Sequence, residues 1–458
     1  MAVSVCRDDL NERALSILAA AGDAAAAIGL RTDDRAFSFA ELARLTERRL
    51  RSAELRQDEA APFIVDAAPT VDTVITLYAL LERGRPFLLL HPKLTAPERR
   101  AALSAATRGK LSADAAAIVL SSGTTGPPRA AVLSRSALLA SAAASAANLG
   151  WHGDDCWLLA MPIARVGGLS ILTRCLAART AVMLAPGFEA TRLPALLQRH
   201  RVTLASLVPT MLARLLDTCP DWMPPGHLRA VLVGGAAAPL TLLSRGAERR
   251  LPMIITYGCT ETCSQVVATP YSLRFESIRC GAGRPLPTAE IRIVDGRIEA
   301  RGPMRMTGYA GEAPLDPDDW FDTGDLGELD PAGFLHVRGR AGDLIITGGH
   351  KVLPMEVEQA IEAFPGVAAA GVFGVADDLW GQVIAAALVL RDAAIDERTL
   401  VAHLVERLAP FKLPRRICFV SALPQTVAGK LDRVALSSLC SALQPLPIRP
   451  DAGARPAR

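Results

Sequence analysis

Hydroxyl-bearing residues and glycines form a short run directly after an apolar segment that ends near residue 120. Its members are Ser121, Ser122, Gly123, Thr124, Thr125 and Gly126. Glycine lets the backbone come close to a ligand, and hydroxyls with free backbone N–H groups can surround an anion. Two prolines follow, and Arg129 adds a fixed positive charge. The run therefore predicts a phosphate-binding loop at the end of a buried strand.

Two other interpretations of this run can be compared with it. A Ser/Gly linker seldom lies between two apolar segments, whereas Ala130–Leu133 resumes an apolar run after the loop. The P-loop of nucleoside triphosphatases requires Gly-x-x-x-x-Gly-Lys-Ser/Thr, and neither its lysine nor its spacing is present. A tight structural turn stays open as the alternative to a phosphate loop.

Two acidic residues and one lysine lie in glycine-containing stretches farther along the chain. Glu261 ends the sequence Tyr-Gly-Cys-Thr-Glu, after a strand predicted at Met253–Thr256. The carboxyl ends of such strands bind ligands in open α/β sheets. Asp325 lies in Thr-Gly-Asp, and Lys430 follows a glycine near the C-terminus. Taken singly, these residues fit a helix cap, an Asp-Gly turn and a solvated turn at least as well.

The order of the motifs resembles the adenylate-forming superfamily, which includes acyl-CoA synthetases, luciferases and adenylation domains. Five motifs follow that order between residues 121 and 433. The resemblance covers the chain except its last stretch. Arg129 is a departure, because the family usually has lysine there and the forked guanidinium is not equivalent to it.

The resemblance implies a role for each residue at the nucleotide. Tyr257 would pack near the adenine, Thr260 would contact the α-phosphate, and Glu261 would help to hold Mg²⁺, which suits one carboxylate plus phosphates. Asp325 would bind both ribose hydroxyls, because a carboxylate accepts two hydrogen bonds at once, and Arg340 would contact ribose or phosphate. The other nucleotide-binding residues implied are Ser121–Gly126, Arg129, Gly234, Gly235, Ala236 and Gly258.

The resemblance also implies a mobile C-terminal domain. Gly342 takes the pivot position, where the family commonly has Asp or Lys, and glycine suits a residue that must change its backbone angles. Gly348 and Gly349 resemble the loop that faces the thiol acceptor after domain rotation. Lys430 would bridge the substrate carboxylate and the α-phosphate, because a positioned cation offsets the repulsion between two anions.

The segment that lines the acid pocket in this family departs from its usual pattern. Met-Pro-Ile-Ala-Arg-Val-Gly-Gly-Leu resembles Pro-Leu-Phe-His-x-x-Gly, with Ala164 replacing the aromatic residue, Arg165 replacing the histidine and Gly168 matching the glycine. Arg174 lies nine residues beyond Arg165. Its spacing resembles that of o-succinylbenzoate–CoA ligases of menaquinone synthesis, in which an arginine faces the aromatic carboxylate of a dicarboxylic substrate. The alternative for Arg174 is a solvated helix residue.

The reaction implied by the resemblance has two steps. ATP and a carboxylic acid give an acyl-adenylate and pyrophosphate, and the CoA thiol then gives the thioester and AMP. The predicted acid is o-succinylbenzoate, with another aryl or acyl acid as the alternative. Two other function classes stay open. An adenylation enzyme that loads a carrier-protein thiol would release no free acyl-CoA, and a nucleotide-binding protein that has lost catalysis would fail to exchange pyrophosphate.

The elements that must position these residues follow a βαβ rhythm. Predicted strands at 63–65, 86–90, 157–160, 181–184 and 204–208 alternate with predicted helices at 71–81, 168–177 and 193–199. This alternation predicts an α/β fold with a parallel sheet and flanking helices. Ser38 and Glu41 form a capping-box pattern. From about residue 289, short alternating stretches predict a β-rich part with antiparallel strands.

We expect three parts along the chain. An ATP- and acid-binding domain covers 1–340, a small mobile α+β domain covers 341–443, and a disordered tail rich in Pro, Arg and Ala covers 444–458. A length of 458 residues suits such a division.

Composition limits the partners of the chain. A net charge of +3 does not favour nucleic acid or a membrane surface. Nine cysteines without a Cys-x-x-Cys pair, and an N-terminus without an apolar signal segment, predict reduced thiols in the cytoplasm. Apolar runs fall short of membrane-spanning length. The predicted partners are therefore ATP, Mg²⁺, CoA and a small carboxylic acid, and the sequence leaves the oligomeric state undetermined.

Overall fold

Parallel strands form the centre of the large domain, as the βαβ rhythm predicts. The computed structural model describes residues 13–56, 61–121, 129–391, 395–425 and 431–446. In spatial order the strands of this sheet are β13 (Arg284–Pro285), β12 (Ser264–Ala268), β11 (Met253–Cys259), β10 (Ala230–Val233), β9 (Leu204–Leu207), β7 (Cys156–Leu159), β8 (Ala181–Leu184), β1 (Ile28–Arg31) and β2 (Ala36–Ser38). The inner strands from β11 to β1 are parallel, and antiparallel pairs close both edges.

A second sheet carries the two ends of the predicted phosphate loop. Its strands, in spatial order, are β16 (Gly308–Tyr309), β6 (Arg129–Ser134), β5 (Ala115–Ser121), β4 (Phe87–Leu90) and β3 (Phe63–Asp66). β5 is parallel to β4, whereas β6 returns antiparallel to β5. Ser121 pairs directly with Arg129, so the two residues that flank 122–128 lie side by side.

Helices cover the two sheets. They are α1 (Ile17–Ala24), α2 (Phe39–Leu50), α3 (Ala53–Arg56), α4 (Val71–Arg83), α5 (Ala96–Ala106), α6 (Arg135–Leu149), α7 (Val166–Ala178), α8 (Leu193–Arg199), α9 (Pro209–Thr218) and α10 (Leu240–Glu248). The predicted capping box is confirmed, because Ser38 Oγ accepts from the Glu41 N–H and the Glu41 carboxylate accepts from the Ser38 N–H. Among the residues described, no helix combines the length and apolar character needed to cross a membrane.

The β-rich part predicted from about residue 289 is confirmed as an antiparallel four-stranded sheet. Its order is β14 (Glu290–Val294), β15 (Arg297–Arg301), β17 (Phe321–Leu329) and β18 (Leu335–Arg340). Asp325 lies inside β17, opposite Arg340 on β18. The alternative of a plain Asp-Gly turn is therefore wrong, and the sheet fixes the backbone of both residues.

The C-terminal part has its own sheet and core. Its elements are β19 (Ile345–Thr347), β20 (His350–Val352), α11 (Pro354–Glu362), β21 (Val367–Asp377), β22 (Gly381–Leu390), α12 (Glu397–Val405), β23 (Arg416–Phe419), α13 (Arg433–Leu436) and β24 (Gln444–Pro445). Buried residues such as Val357, Ile361 and Leu388 form a separate hydrophobic cluster. This arrangement agrees with the predicted α+β unit.

The predicted tail begins too early. Gln444 and Pro445 pair with β23 at the edge of the small domain's sheet, and Leu446 is only 5% exposed within its core. Burial of the Leu446 side chain and pairing at the open sheet edge stabilise this segment. The Pro- and Arg-rich composition gave no indication of either contact. The rest of the predicted tail, 447–458, lies outside the described residues.

Candidate active site

Two neighbouring parallel strands end side by side at the predicted adenine site. Val233 on β10 pairs with Ile255 on β11, so the Gly234-Gly235-Ala236 turn lies against Thr256. A side-chain carbon at Gly234 would lie 2.1 Å from Thr256 Oγ1, and Gly235 has φ +81°. Both positions therefore require glycine, and the turn leaves Gly235 and Ala236 exposed at the carboxyl end of the sheet.

A tight hairpin carries Tyr257, Thr260 and Glu261. β11 continues to Cys259, beyond the predicted strand end at Thr256, and a 3₁₀ turn over Thr260–Thr262 leads into β12. A side-chain carbon at Gly258 would lie 1.8 Å from the Ser264 carbonyl oxygen. Glycine is thus needed for the close approach of the two arms, and the hairpin presents Thr260 and Glu261 at its tip.

The structure brings Tyr257, Asp325 and Arg340 together. The Tyr257 hydroxyl donates to Asp325 Oδ2 at 2.8 Å and lies 2.9 Å from Thr323 Oγ1. Arg340 Nε lies 3.0 Å from Asp325 Oδ1, and its Nη1 donates to the Thr323 carbonyl oxygen at 2.9 Å. Burial, and then the negative charge of Asp325, raise the pKa of Tyr257. Tyr257 therefore remains a neutral donor that orients the carboxylate.

Glu261 is buried, at 8% exposure, and is held by a residue that the sequence did not single out. The Tyr309 hydroxyl donates to Glu261 Oε1 at 2.8 Å, and the Met306 N–H donates to the Glu261 carbonyl oxygen at 2.7 Å. Burial, and then the charge of Glu261, raise the pKa of Tyr309. Within the described ranges no three His, Cys, Asp or Glu side chains cluster as a metal cage. One carboxylate fits Mg²⁺ that takes its other ligands from phosphates and water.

Arg129 stands at the exit of the predicted phosphate loop and is about half exposed. Its Nη2 lies 2.9 Å from both carboxylate oxygens of Glu312, and its guanidinium carbon lies 3.4 Å from the centre of the Tyr309 ring. Ser121 Oγ donates to the Arg129 carbonyl oxygen at 3.3 Å. The predicted residues Ser122, Gly123, Thr124, Thr125 and Gly126 lie outside the described residues, as does Lys430.

The predicted acid-pocket segment leads into α7. Arg165 is the N-terminal cap residue of the helix, and a side-chain carbon at Gly168 would lie 2.3 Å from the Pro162 carbonyl oxygen. Burial lowers the pKa of Arg165. Burial, and then the charge of Arg165, lower the pKa of His91, which follows β4. A cation thus occupies the start of α7, close to the end of the second sheet.

Arg174 is buried on the far part of the same helix, so the alternative of a solvated residue is wrong. The residue is 3% exposed, and its Nη2 donates to Ser141 Oγ at 3.3 Å. The guanidinium carbon lies 5.7 Å from the Trp157 ring centre. Among the described residues, Nε has no hydrogen-bond partner and no carboxylate pairs with the guanidinium. Burial lowers its pKa from 12.5 to about 10.

The predicted pivot lies between two residues that are tied to different domains. Arg340 pairs with Asp325 of the large domain, whereas Asp343 accepts from Arg433 Nε of the small domain at 2.9 Å. Gly342 lies between them in a 3₁₀ turn over Ala341–Asp343. A side-chain carbon added at Gly342 would have no atom of the described residues within 4 Å. This conformation does not itself require glycine at the position.

Gly348 and Gly349 form the two-residue turn between β19 and β20. Their φ angles are +54° and +81°, which other residues rarely adopt. The turn packs on Trp380, whose ring would lie 2.6 Å from a side-chain carbon at Gly348. The residues on either side of 426–430 are in contact, since Gln425 pairs with Leu431 and the Asp432 N–H donates to the Pro424 carbonyl oxygen at 2.9 Å.

Comparison with known proteins agrees with this arrangement. The family described as "AMP-binding enzyme" matches residues 109–310, and the family described as "AMP-binding enzyme C-terminal domain" matches residues 356–430. The 2-succinylbenzoate–CoA ligase of Bacillus cereus is 38% identical over 340 residues, which are 71% of this chain and 70% of the relative.

The o-succinylbenzoate CoA synthetase of Bacillus subtilis shares the fold at 31% identity. Its complex with the acyl-adenylate OSB-AMP superimposes with a TM-score of 0.83 over 92% of this chain and 97% of that chain. Its complex with ATP and magnesium gives 0.82 over 92% and 98%. A double mutant bound to the product analogue OSB-NCoA gives only 0.66 over 94% and 99%. Because identity and coverage hardly change, the lower score reflects a different arrangement of the chain, and the present structure resembles the ATP- and adenylate-bound forms.

Proposed function

Because this chain belongs to the AMP-binding enzyme family, we propose that it is an ATP-dependent acid–CoA ligase whose acid is o-succinylbenzoate. It converts o-succinylbenzoate, ATP and CoA into o-succinylbenzoyl-CoA, AMP and pyrophosphate, a step of menaquinone biosynthesis that we expect in the cytoplasm. Family membership and the succinylbenzoate ligases among its relatives support the ligase class.

The observation that carries the choice of acid is the buried Arg174. Buried charges are ordinarily paired, since an isolated ion in a protein interior is costly. Arg174 has an unused Nε donor and no carboxylate partner in the described parts of the chain. A second carboxylate on the substrate supplies the missing anion, and a planar guanidinium can bind it with two parallel hydrogen bonds. A dicarboxylic aromatic acid fits this requirement, whereas a fatty acid would leave the cation unpaired.

In the first step a carboxylate oxygen of the acid attacks the α-phosphorus of ATP, and the bond to pyrophosphate breaks. Thr260 contacts the α-phosphate, and Lys430 offsets the repulsion between carboxylate and phosphate. The Ser121–Gly126 loop and Arg129 hold the phosphates. Glu261 would hold Mg²⁺, which would neutralise further phosphate charge when bound. Glu261 is suited to this because its buried carboxylate already has a fixed orientation.

The nucleoside is held by the residues at the sheet ends. Tyr257 and the turn Gly234–Ala236 pack against the adenine, and Asp325 binds the ribose hydroxyls. The hydrogen bond from Tyr257 orients that carboxylate before the nucleotide arrives. Arg340, which pairs with Asp325 in this structure, contacts the ribose or a phosphate when the nucleotide is bound.

In the second step the CoA sulfur attacks the carbonyl carbon of the adenylate, the thiol proton is lost and AMP leaves. The small domain first rotates about Gly342, and the Gly348-Gly349 turn then faces the acceptor. Support for this pivot comes from the ion pairs on either side, which tie Arg340 to one domain and Asp343 to the other. The better superposition on the ATP- and adenylate-bound relatives supports the view that the present arrangement serves the first step.

The test is AMP release with ATP, CoA and a panel of acids, with the thioester product identified by mass. We expect o-succinylbenzoate to be strongly preferred and free o-succinylbenzoyl-CoA to appear. Activity only on monocarboxylic acids would keep the ligase and overturn the choice of acid. Adenylation without free acyl-CoA would indicate a carrier-protein acceptor, and failure of pyrophosphate exchange would indicate a nucleotide binder without catalysis.

A further inference from the structure

Four side chains form a continuous chain of contacts from the exit of the phosphate loop to the predicted magnesium ligand. Glu312 pairs with Arg129, Arg129 stacks on Tyr309, and Tyr309 donates to Glu261. The contacts span 2.9 Å, 3.4 Å and 2.8 Å respectively. Neither Tyr309 nor Glu312 has a role in the reaction as proposed above.

The backbone fixes the place of Tyr309. β16 pairs antiparallel with β6, and Tyr309 lies opposite Ala131, two residues beyond Arg129 on the same strand. Residues two apart on a strand share a face, and diagonal neighbours on adjacent strands are within reach of long side chains. The guanidinium therefore comes to lie over the Tyr309 ring because of strand register, and the hydroxyl extends beyond it to Glu261.

The two ends of this chain differ in how firmly they are held. At the inner end, Glu261 is buried and Tyr309 is half-buried, and the hydrogen bond from Tyr309 restricts the otherwise broad terminal torsion of the carboxylate. The Arg129–Glu312 pair has both side chains at least half exposed, and such pairs contribute little to stability. Phosphate oxygens can therefore replace the Glu312 carboxylate on Arg129 at small cost.

We propose that Tyr309 is a positioning residue that orients Glu261 toward the magnesium ion, that Arg129 packs on its ring, and that Glu312 holds Arg129 until the phosphates of ATP replace it. The proposal rests on the proposed function, since it assumes that Glu261 binds the ion and that Arg129 meets the phosphates. It adds a hydroxyl behind the metal ligand and an internal anion that competes with the nucleotide.

Equilibrium binding of ATP, with Mg²⁺ and with EDTA in its place, tests the hydroxyl. Tyr309→Phe keeps the ring beneath Arg129 and removes only the donor to Glu261. Loss of a group behind a metal ligand commonly weakens metal affinity about 10–100-fold, so we expect at least about tenfold weaker binding with Mg²⁺ and unchanged binding in EDTA. Tyr271→Phe, which removes a hydroxyl bonded to Arg229 elsewhere, is the matched control and should leave both values unchanged.

The same binding assay tests the competing anion. Glu312→Gln should tighten ATP binding by roughly two- to fivefold, the range expected for an exposed ion pair. The gain should vanish when Arg129→Met is already present, because Glu312 then has no cation to occupy. Unchanged or weaker binding in Glu312→Gln would overturn this part of the proposal.

The outcomes separate the positioning role from the proposed function. If the wild-type protein binds ATP with Mg²⁺ and Tyr309→Phe matches it, or loses affinity equally in EDTA, the positioning role is overturned while the ligase assignment stands. If the wild-type protein itself shows no Mg²⁺-dependent binding of ATP, both are overturned. Thermal unfolding of each variant establishes that the compared proteins are folded.

Discussion

Replacing Arg174 by methionine should make the ligand-free protein more stable. The lowering of its pKa from 12.5 to about 10 corresponds to about 3 kcal/mol that the folded protein gives up to keep this guanidinium charged. Because the folded pKa is the lower one, this cost is present throughout the range below about pH 10, neutral pH included. Methionine keeps an unbranched apolar stem but loses the hydrogen bond to Ser141, worth about 1 kcal/mol. We therefore expect a net gain of about 2 kcal/mol.

Denaturant unfolding at neutral pH, with and without o-succinylbenzoate, measures this effect. The acid should stabilise the wild-type protein far more than Arg174→Met, since only the wild-type protein has the buried cation to pair with it. Arg229→Met is the matched control, because Arg229 pairs with the buried Asp155 at 2.6 Å. Removing one partner of such a pair typically costs about 3–5 kcal/mol.

The reasoning would be refuted if Arg174→Met lost stability on the scale of Arg229→Met. That result would mean that Arg174 is already satisfied inside the folded chain. It would also remove the physical basis for a second carboxylate on the substrate.

Three further changes test other parts of the account. Lys430→Ala should slow adenylate formation far more than thioester formation from preformed adenylate, because only the first step brings two anions together; single-turnover assays compare the two, and equal losses would contradict the role. Gly168→Ala should destabilise the protein by about 1–3 kcal/mol or more, because the new carbon would lie 2.3 Å from the Pro162 carbonyl oxygen. Gly153→Ala is the control, since a carbon there would meet no described atom within 4 Å. Equal melting temperatures of the two variants would argue against the steric explanation. Burial raises the pKa of Glu362 to about 7 from 4.5. This shift contributes about 3 kcal/mol to the free energy of unfolding, which is fully present below pH 4.5 and is lost as pH rises through about 7. Glu362→Gln should therefore flatten the pH dependence of the unfolding midpoint across this range. An unaltered pH dependence in the variant would contradict the assignment of this effect to Glu362.

The fold could be predicted where periodicity and strand chemistry are regular. The alternation of apolar strands and helices up to Leu207 predicted a parallel sheet, and the capping box at Ser38 predicted the start of α2. Short strands could not be predicted from such patterns, because β16 and β24 have only two residues each. Their pairing depends on strands that are distant in the sequence, so the local residue pattern does not indicate it.

The candidate site could likewise be predicted only in part. The order of the motifs identified Tyr257, Asp325 and Arg340 as candidate site residues, and in the structure Asp325 contacts both of the others directly. Tyr309 and Glu312 were missed, because Arg129 meets Glu312 across 183 positions of sequence. A lone Gly-Tyr dipeptide gives no indication of such a contact.

The burial of Arg174 also could not be predicted from the sequence. α7 is apolar or small almost all round, and a single arginine in it could face solvent or the interior. Packing of α7 against α6 places the guanidinium in the interior, where it donates to Ser141 Oγ, and Ser141 Oγ donates in turn to the Cys263 carbonyl oxygen. Tertiary contacts therefore supply the observation on which the choice of substrate rests.

The most direct test of the central claim compares two acids in two proteins. The acids are o-succinylbenzoate and 4-oxo-4-phenylbutanoate, which lacks only the ring carboxylate, and the proteins are wild type and Arg174→Met. A desolvated charge pair of this kind is worth about 2–5 kcal/mol, so we expect the wild-type kcat/KM to favour o-succinylbenzoate by about a hundredfold or more. Arg174→Met should lose most of that preference while still using the monocarboxylic acid. The same ratio of kcat/KM values in both proteins would contradict the account.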